Sequence, residues 1–267
     1  MINKFPEVES KTFLEPSAGD GAFISNLEKY IALDIKPEAE GIEEADFLSY
    51  EPNEVNLITI GNPPFGKRSK LAIEFFNHAS KFSDIISFIV PVSFMKWSVQ
   101  KELNQNFALT DYFYLEPESF LEEGKPYKVR TVFQIWVKKE SPYDNKIDKR
   151  LKKSPPISHT DFQIWQYNAT PDAVKYVEED WEIATYRQGY HDYNQLFSRK
   201  DYDYIKEKMT APTKKQQFFF IKPLTDEARK IILNMDFNAL AERNTSTPGF
   251  GKGDFVSYYT ELKETSI

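Results

Sequence analysis

A short polar loop directly after an apolar run carries the residues best suited to chemistry. The run Val55 to Ile60 predicts a buried strand, and Gly61-Asn62-Pro63-Pro64-Phe65-Gly66 follows it. Each proline fixes its own φ and lacks an N–H, and the first one pushes Asn62 towards extended backbone. Open α/β sheets bind ligands at the carboxyl ends of their strands. We therefore predict a stiff active-site loop that holds an amide, a carbonyl and a ring in fixed relation.

The groups in this loop suit methylation of an exocyclic amine on a planar base. Such an amine is a weak nucleophile because its lone pair is delocalised into the ring. The side-chain oxygen of Asn62 and the carbonyl of Pro63 can accept its two hydrogens and favour the pyramidal form, which is catalysis by positioning and preorganised dipoles. Phe65 offers a face for stacking, worth roughly 1–3 kcal/mol per base in nucleic-acid complexes. Taken alone, the segment has a second, less favoured interpretation as a proline-rich turn after a core strand.

A glycine-rich loop near the start of the chain is a second candidate site. Thr12 to Glu15 predicts a short strand, and Pro16 to Gly21 predicts a tight loop before a helix from about Ala22 to Lys29. Glycine at positions 19 and 21 allows a sharp turn and close approach of a ligand, and a helix N-terminus presents free N–H groups. A G-x-G spacing by itself is more often a turn than a cofactor site.

Together the two loops resemble those of a known family. The segment Leu14 to Phe23 resembles the S-adenosylmethionine-binding motif I of class I methyltransferases, and Asn62 to Phe65 resembles the (D/N/S)PP(Y/F) motif of N6-adenine methyltransferases. The chain is thus similar to N6-adenine-specific DNA methyltransferases with the γ-type motif order. This resemblance implies an α/β, class I methyltransferase fold: a Rossmann-like seven-stranded sheet with an antiparallel last strand, plus a smaller α+β C-terminal region.

The resemblance also implies a cofactor, an activity and a partner. The cofactor is S-adenosyl-L-methionine, and the activity is methyl transfer to N6 of an adenine flipped out of DNA, the chemistry of DNA modification and of restriction–modification systems. The motif assigns catalysis to Asn62, Pro63, Pro64 and Phe65. The implied partner is nucleic acid, with DNA favoured over RNA.

Further residues are assigned to the cofactor by the same resemblance. Asp34 lies in the predicted strand Ile31 to Ile35, 13 residues after Gly21, where the family's carboxylate accepts both ribose hydroxyls. Ala45-Asp46-Phe47-Leu48 resembles the family segment in which the acid bonds the adenine amino group and the aromatic packs on that ring. Alone, each acid would be a surface residue in a turn. The cofactor set is Glu15, Pro16, Ala18, Gly19, Gly21, Phe23, Asp34, Asp46 and Phe47.

Cations and aromatic residues beyond the catalytic loop are candidates for substrate contact. Lys67, Arg68 and Lys70 stand at the start of a predicted helix, where cations are unfavourable, so we interpret them as phosphate contacts, with a solvated helix face as the alternative. Tyr127, with Phe120, lies where the family often places a second aromatic against the flipped base. A basic run between Asn145 and Pro156 is another candidate for phosphate contact.

The remaining pattern predicts three regions. These are a catalytic domain at 1–142, a basic, proline-containing linker at 143–160, and a target-recognition or accessory region at 161–267. In the first region we predict helices at Leu71 to Phe82 and Lys96 to Phe107, and strands at Asp84 to Val90, Asp111 to Leu115 and Val129 to Val137. In the last region we predict strands at Phe162 to Tyr167, Glu182 to Tyr186 and Gln217 to Ile221, and helices at Tyr202 to Lys208 and Thr225 to Leu240. Thr247 to Asp254 lacks the full spacing of a phosphate loop and is predicted to be a flexible turn.

Composition excludes several classes of site. The 267 residues include no cysteine and three histidines without H-x-x-x-H spacing, so we expect no disulfide, no thiol catalysis and no metal. No apolar run approaches the roughly 20 residues that span a bilayer, and Met1 to Lys11 lacks the apolar stretch of a signal peptide, so we expect a cytoplasmic protein without membrane association. The net charge of −7 requires any nucleic acid to meet a local basic patch.

Departures from the family pattern leave more than one function open. Only about eleven residues precede motif I, so the helix that usually packs on the methionine end of the cofactor (motif X) is missing or supplied by a protein partner or a second copy. The same chemistry on adenine in RNA spares the cost of base flipping. Methylation of a protein glutamine is a third possible activity, and a cofactor-binding subunit of a larger assembly is a non-enzymatic one.

Overall fold

The structure, a computed structural model, describes residues 8, 10–116, 120–122, 125–127, 129–139, 154–243 and 247–265. The chain forms two compact units, Met1–Leu151 and Lys152–Ile267. Residues 143–153 of the predicted linker, with its basic run, lie outside the described residues. Residues 154–160 belong to the second unit, where Pro155 and Ile157 lie beside Gly253.

One mixed sheet forms the centre of the first unit. Within the described residues, seven strands adopt the order β3-β2-β1-β4-β5-β9-β6. All neighbouring strands are parallel except β9, which runs antiparallel to both β5 and β6. This strand order confirms the predicted class I methyltransferase fold. The strands are β1 (Phe13–Glu15), β2 (Tyr30–Asp34), β3 (Glu43–Glu44), β4 (Leu57–Gly61), β5 (Ser83–Pro91), β6 (Phe107–Tyr114) and β9 (Thr131–Lys138), while β7 (Phe120–Glu122) and β8 (Lys125–Tyr127) form a separate hairpin.

The topology places a crevice at the two strand ends that carry the predicted loops. The chain proceeds outward from β1 to β2 and β3, then returns to the other side of β1 to form β4. Such a reversal of direction leaves a crevice at the carboxyl ends of the two central strands, here β1 and β4. The loops that follow these strands are the glycine-rich loop and the Asn62 loop.

A helix directly after the Asn62 loop fixes that loop from its far end. Helix α1 (Lys70–Ala79) buries Ala72, Phe75 and Phe76 against the sheet. The Phe76 ring meets Trp136 of β9 edge-on, with centroids 5.4 Å apart. Since β4 and α1 are both anchored in one core, the loop between them is held at both ends.

Two predicted helices of the first unit are wrong in extent. The segment Ala22 to Lys29 forms only a 3-10 turn, Ile24–Asn26, because Leu27 is already extended and β2 begins at Tyr30. The segment Lys96 to Phe107 forms only α2 (Trp97–Gln100), after a 3-10 turn at Val92–Met95. A turn follows α2, and in it Asn104 binds Asn77 and Ser80 instead of continuing the helix.

The second unit is α+β, as predicted. A three-stranded antiparallel sheet has the order β10-β12-β11, with β10 at Phe162–Gln166, β11 at Ile183–Gln188 and β12 at Gln217–Pro223. Its helices are α3 (Tyr202–Thr210), α4 (Asp226–Leu233), α5 (Phe237–Glu242) and α6 (Lys252–Thr265). An aromatic core including Trp181, Phe219 and Tyr259 joins sheet and helices. None of the described helices combines the length and apolar character that crossing a bilayer requires.

Two predictions for the second unit are corrected. The single helix predicted at Thr225 to Leu240 is two helices, because Asp236 accepts the Ala239 N–H at 3.0 Å and caps a new one. The turn predicted at Thr247 to Asp254 contains the buried Phe250 and ends in the first residues of α6.

Candidate active site

The glycine-rich loop after β1 leaves open space for a ligand. Gly19 and Gly21 adopt positive φ values of +51° and +83°, which side chains disfavour. The Gly21 N–H donates to the Ala18 carbonyl at 2.7 Å and closes the turn. A Cβ on Gly19 would meet no atom within 4 Å. The backbone at Gly19 is therefore accessible to close approach.

Asp34, at the end of β2, holds this loop and retains capacity to accept more hydrogen bonds. One carboxylate oxygen accepts the Gly19 N–H and the other accepts the Lys36 N–H, both at 2.8 Å. A carboxylate has about four lone-pair sites, so roughly two remain. The structure thus brings Asp34 and Gly19 together, as the predicted cofactor site requires.

The Asp46–Phe47 segment divides between surface and core. Asp46 is exposed and accepts the Leu48 N–H at 3.0 Å. The Phe47 ring is 1% exposed and packs against Phe75 and His78, with centroids 5.1 and 4.9 Å away. The ring thus has no exposed face in this structure, and its contact with a cofactor ring stays a prediction.

Ile35 is a residue of this edge that the sequence analysis did not assign to the site. It follows Asp34 at the end of β2, and its side chain is 74% exposed. The sequence feature that could have identified Ile35 is an apolar residue directly after an acid that ends a strand. Ile35 offers an apolar surface for a planar ring at the same sheet edge as Gly19 and Asp34. Among the other predicted cofactor residues, Pro16 and Ala18 are buried and Phe23 is partly exposed.

Glu15, the last residue of β1, is a buried carboxyl group. It is 1% exposed, and among the described residues its Oε2 atom has no hydrogen-bond partner. Burial, with a smaller contribution from the negative charge of Asp34, raises the pKa of Glu15 to about 8. The carboxyl group lies against Gly61: a Cβ there would overlap a carboxyl oxygen and sit 3.2 Å from Glu15 Cδ.

The Asn62 loop is joined to the glycine-rich loop by a hydrogen bond. The Ser17 hydroxyl donates to the Asn62 carbonyl at 3.1 Å, so Asn62 lies within a side chain's reach of the glycine-rich loop. The Asn62 Oδ1 atom is buried and has no hydrogen-bond partner among the described residues. Of the residues that follow, Pro63 is buried, Pro64 is exposed and Phe65 is partly exposed.

Two orphaned acceptors therefore lie on neighbouring strand ends. Glu15 ends β1 and Asn62 follows β4, and these strands pair in the sheet. An unsatisfied buried polar group costs roughly 1–3 kcal/mol, and such groups in native proteins call for an explanation. A ligand with N–H donors fits both atoms.

The cations after the loop stand on strained backbone. Arg68 and Ser69 have left-handed φ values of 55° and 62°, and the Ser69 hydroxyl bonds that of Ser93, after β5, at 2.8 Å. Lys70 pairs with Glu74 of α1 at 3.6 Å. Lys67 and Arg68 are exposed and have no carboxylate partner among the described residues.

Two predicted substrate contacts are not placed. Phe120 and Tyr127 belong to the β7–β8 hairpin, but their side chains lie outside the described part of the chain. Their stacking on a base stays a prediction.

The strand order and these loops define the first unit as a class I methyltransferase fold. No family model matches the chain, and no curated protein does. Among solved structures, similarity extends to a candidate RNA methyltransferase from Pyrococcus horikoshii, at 20% identity and a TM-score of 0.40 over 51% of this chain and 79% of that one. An N-methyltransferase, NodS, from Bradyrhizobium japonicum, solved with S-adenosyl-L-homocysteine, gives 10% identity and a TM-score of 0.37 over 52% and 85%. A chain of a type I restriction–modification system gives 13% and 0.38 over 52% and 41%. These likenesses are too distant to assign an activity.

Proposed function

We propose that the chain is a methyltransferase that uses S-adenosyl-L-methionine to methylate the N6 amine of adenine in DNA. The observation that supports this most directly is a pair of buried acceptors, Glu15 Oε2 and Asn62 Oδ1, for which the described part of the chain provides no hydrogen-bond partner. The reaction brings two N–H donors to one place, the ammonium group of the cofactor and the exocyclic amine of the base. Each acceptor is suited to one of them.

The residues at this sheet edge fit the cofactor. Glu15 suits its ammonium group, the open face of Gly19 suits its backbone-like methionine part, and the spare lone pairs of Asp34 suit the ribose hydroxyls. Asp46 and Ile35 are both exposed and suit the amino group and the face of the adenine. When bound, S-adenosyl-L-methionine supplies a methyl group on a positively charged sulfur.

The chain's own contribution to the reaction is to orient and polarise the amine. Asn62 Oδ1 and the Pro63 carbonyl accept the two amine hydrogens and direct the nitrogen lone pair towards the methyl group. The loop keeps this geometry because Ser17 holds the Asn62 carbonyl at 3.1 Å and the prolines restrict the backbone. Phe65, partly exposed, provides a stacking face for the base.

Nucleic acid is favoured as substrate by the free cations beside the loop. Lys67 and Arg68 follow Phe65 by two and three residues and have no carboxylate partner among the described residues. They are placed to contact phosphates flanking a base held at Phe65. DNA is proposed over RNA from the resemblance of the Asn62 loop and motif order.

The first prediction concerns Asn62→Ala. We expect the affinity for S-adenosyl-L-methionine to stay within about twofold, because the proposed cofactor contacts remain. We expect the transfer rate to fall by about 10²–10³, the usual loss when one preorganised group at the reacting centre is removed. Calorimetric titration gives the affinity, and transfer of a labelled methyl group into duplex DNA gives the rate. Asn53→Ala, at an exposed asparagine before β4, is the matched control.

The same assay separates the possible substrates. Labelled cofactor is supplied with separate pools of duplex DNA, RNA and cellular protein. Label found only in RNA would show that RNA is the substrate, and label found only on protein glutamine would show that protein is the substrate. Cofactor binding with no label in any pool points to a binding subunit, and full activity of the Asn62 variant excludes its role in amine activation.

A further inference from the structure

A polar pocket of ≈330 Å³ opens in the second unit, among residues that have no role in the proposed active site. Gln166 and Asn168, at and just after the end of β10, line one part of it. Lys175 and Tyr176, from the 3-10 helix Pro171–Glu178, line another part. Lys252, the first residue of α6, completes it. The volume is at the small end of the roughly 300–1,000 Å³ typical of ligand sites.

Neither lysine of this pocket forms an ion pair within the described residues, whereas several other cations of the second unit do. Lys206, Lys222, Arg229, Arg243 and Lys263 each pair with a carboxylate. Lys175 and Lys252 have no carboxylate partner among the described residues. Lys252 is half-buried, and its desolvation lowers the pKa of its ammonium group. With Asp172 as the one acidic residue of the lining, the pocket keeps an excess of positive charge and suits an anion.

The neutral groups of the pocket suit a base rather than a bare anion. The Asn168 Oδ1 atom accepts the Thr170 hydroxyl at 2.7 Å, so its two N–H donors remain for a ligand. The Gln166 amide adds both a donor and an acceptor, the combination that pairs with base edges. The Tyr176 ring is partly exposed and carries the Lys175 ammonium 5.7 Å from its centroid, so a base that stacks on this ring takes the place of that ammonium.

We infer that this pocket binds one nucleotide unit of a nucleic-acid strand. Lys175 and Lys252 hold its phosphate, and Gln166, Asn168 and Tyr176 contact its base. The inference rests on the proposed function in taking nucleic acid as the partner of the chain. It assigns to the second unit a contact that is separate from the base held at Asn62.

The test is equilibrium binding of the full chain to a fluorescent single-stranded oligodeoxynucleotide over a series of salt concentrations. Lys175→Gln/Lys252→Gln is compared with Lys200→Gln/Lys230→Gln, a matched removal of two exposed lysines outside the pocket. We expect the first variant to bind at least about tenfold more weakly. The slope of log K against log salt concentration is expected to become shallower by about 0.7 for each phosphate of the single strand that the variant no longer neutralises. The control is expected to stay within about twofold. Melting temperatures and cofactor affinity verify that both variants are folded.

A second variant separates base contact from charge. Asn168→Ala is expected to change the relative affinity for strands of different base composition and to leave the salt slope unchanged. Free mononucleotides, inorganic phosphate and a polyglutamate peptide are the competing probes. Displacement of the strand by mononucleotides but not by equal phosphate or peptide supports the inference. Equal displacement by phosphate or by the peptide, or binding of free mononucleotides without binding of the strand, overturns it.

The outcomes keep this inference distinct from the proposed function. Lysine-dependent strand binding without methyl transfer would leave the pocket in place and remove the proposed activity. Methyl transfer with identical strand binding by the two double variants would leave the activity in place and refute the pocket.

Discussion

Among single residues, Glu15 and Asn62 are each held in an environment that lowers the stability of the folded chain. Both carry a buried oxygen without a partner among the described residues. An unsatisfied buried group of this kind calls for an explanation, and a bound ligand is one. The sequence resemblance names both residues, but it does not show that they share one crevice. That follows from the pairing of β1 with β4 and from Gly61, whose missing side chain makes room for the Glu15 carboxyl group.

Glu15 gives a prediction in which stability and pH are linked. Burial raises the pKa of Glu15 to about 8 in the folded chain, against an ordinary value of 4.5 when unfolded. Between these pH values the folded state binds more protons than the unfolded state, so stability falls as pH rises through this window. The loss is on the order of 1.4 kcal/mol for each unit of pKa difference, integrated over the window. Glu15→Gln removes this titration and nearly keeps the side chain's shape.

We therefore expect Glu15→Gln to be more stable than the natural chain at pH 9 and similar to it at pH 5. Urea denaturation at both pH values measures this. Glu28→Gln, at an exposed carboxylate, serves as control. The same variant is expected to bind S-adenosyl-L-methionine more weakly because its amide cannot lose a proton and pair, as a carboxylate, with the ammonium group. If the free energies of unfolding of the natural chain and the variant changed equally between pH 5 and pH 9, Glu15 would be ionised in the folded chain.

At the scale of elements, the sequence predicts strands better than helices. Continuous apolar runs identify β4 and β5 to within about two residues because parallel strands buried on both faces tolerate little else. The helix expected after the glycine-rich loop is only a 3-10 turn. Its segment must return to β2 at Tyr30 within eight residues of Ala22, and β1 is just three residues long, so the return path is short. The helical spacing of apolar residues gives no information about that tertiary constraint.

The two glycines at the crevice are expected to respond to alanine substitution for different reasons. Gly61→Ala is expected to destabilise the fold by about 1–3 kcal/mol, because its Cβ would overlap the Glu15 carboxyl group and the backbone has φ +155°. Gly19→Ala meets no atom within 4 Å and is expected to cost about 1–2 kcal/mol, from its left-handed φ alone. Its methyl group would instead occupy the surface that the cofactor approaches.

Urea denaturation and calorimetric titration with S-adenosyl-L-methionine distinguish the two effects. The Gly19 variant is expected to lose at least about tenfold in cofactor affinity while it remains folded. Gly21→Ala, whose Cβ would lie 3.4 Å from Ile24 Cγ1, is the comparison for a left-handed glycine in contact with protein. If the Gly19 variant bound the cofactor as tightly as the natural chain does, the cofactor would not contact this glycine.

In the molecule as a whole, the proposed cofactor contacts belong to the first unit alone, and the proposed nucleic-acid contacts belong to both units. Every residue proposed to touch the cofactor lies between Glu15 and Phe65, in the unit Met1–Leu151. The described residues of that unit form three hydrophobic clusters of their own, while the aromatic core of the second unit is formed within Lys152–Ile267. The chain has a net charge of −7, yet each proposed nucleic-acid contact includes cations without a carboxylate partner in the described parts of the chain, Lys67 and Arg68 in one unit and Lys175 and Lys252 in the other.

This division predicts the behaviour of a fragment that contains residues 1–151 alone. We expect it to fold and to bind S-adenosyl-L-methionine within about threefold of the full chain, because its core and all of the proposed cofactor contacts belong to its own residues. We expect its affinity for an oligodeoxynucleotide to fall at least about tenfold, since Lys175 and Lys252 are absent. Circular dichroism, calorimetric titration and fluorescence anisotropy measure the three properties. A folded fragment with weakened cofactor binding would show that residues beyond 151 complete the cofactor site, and one that binds the strand like the full chain would place strand recognition in the first unit.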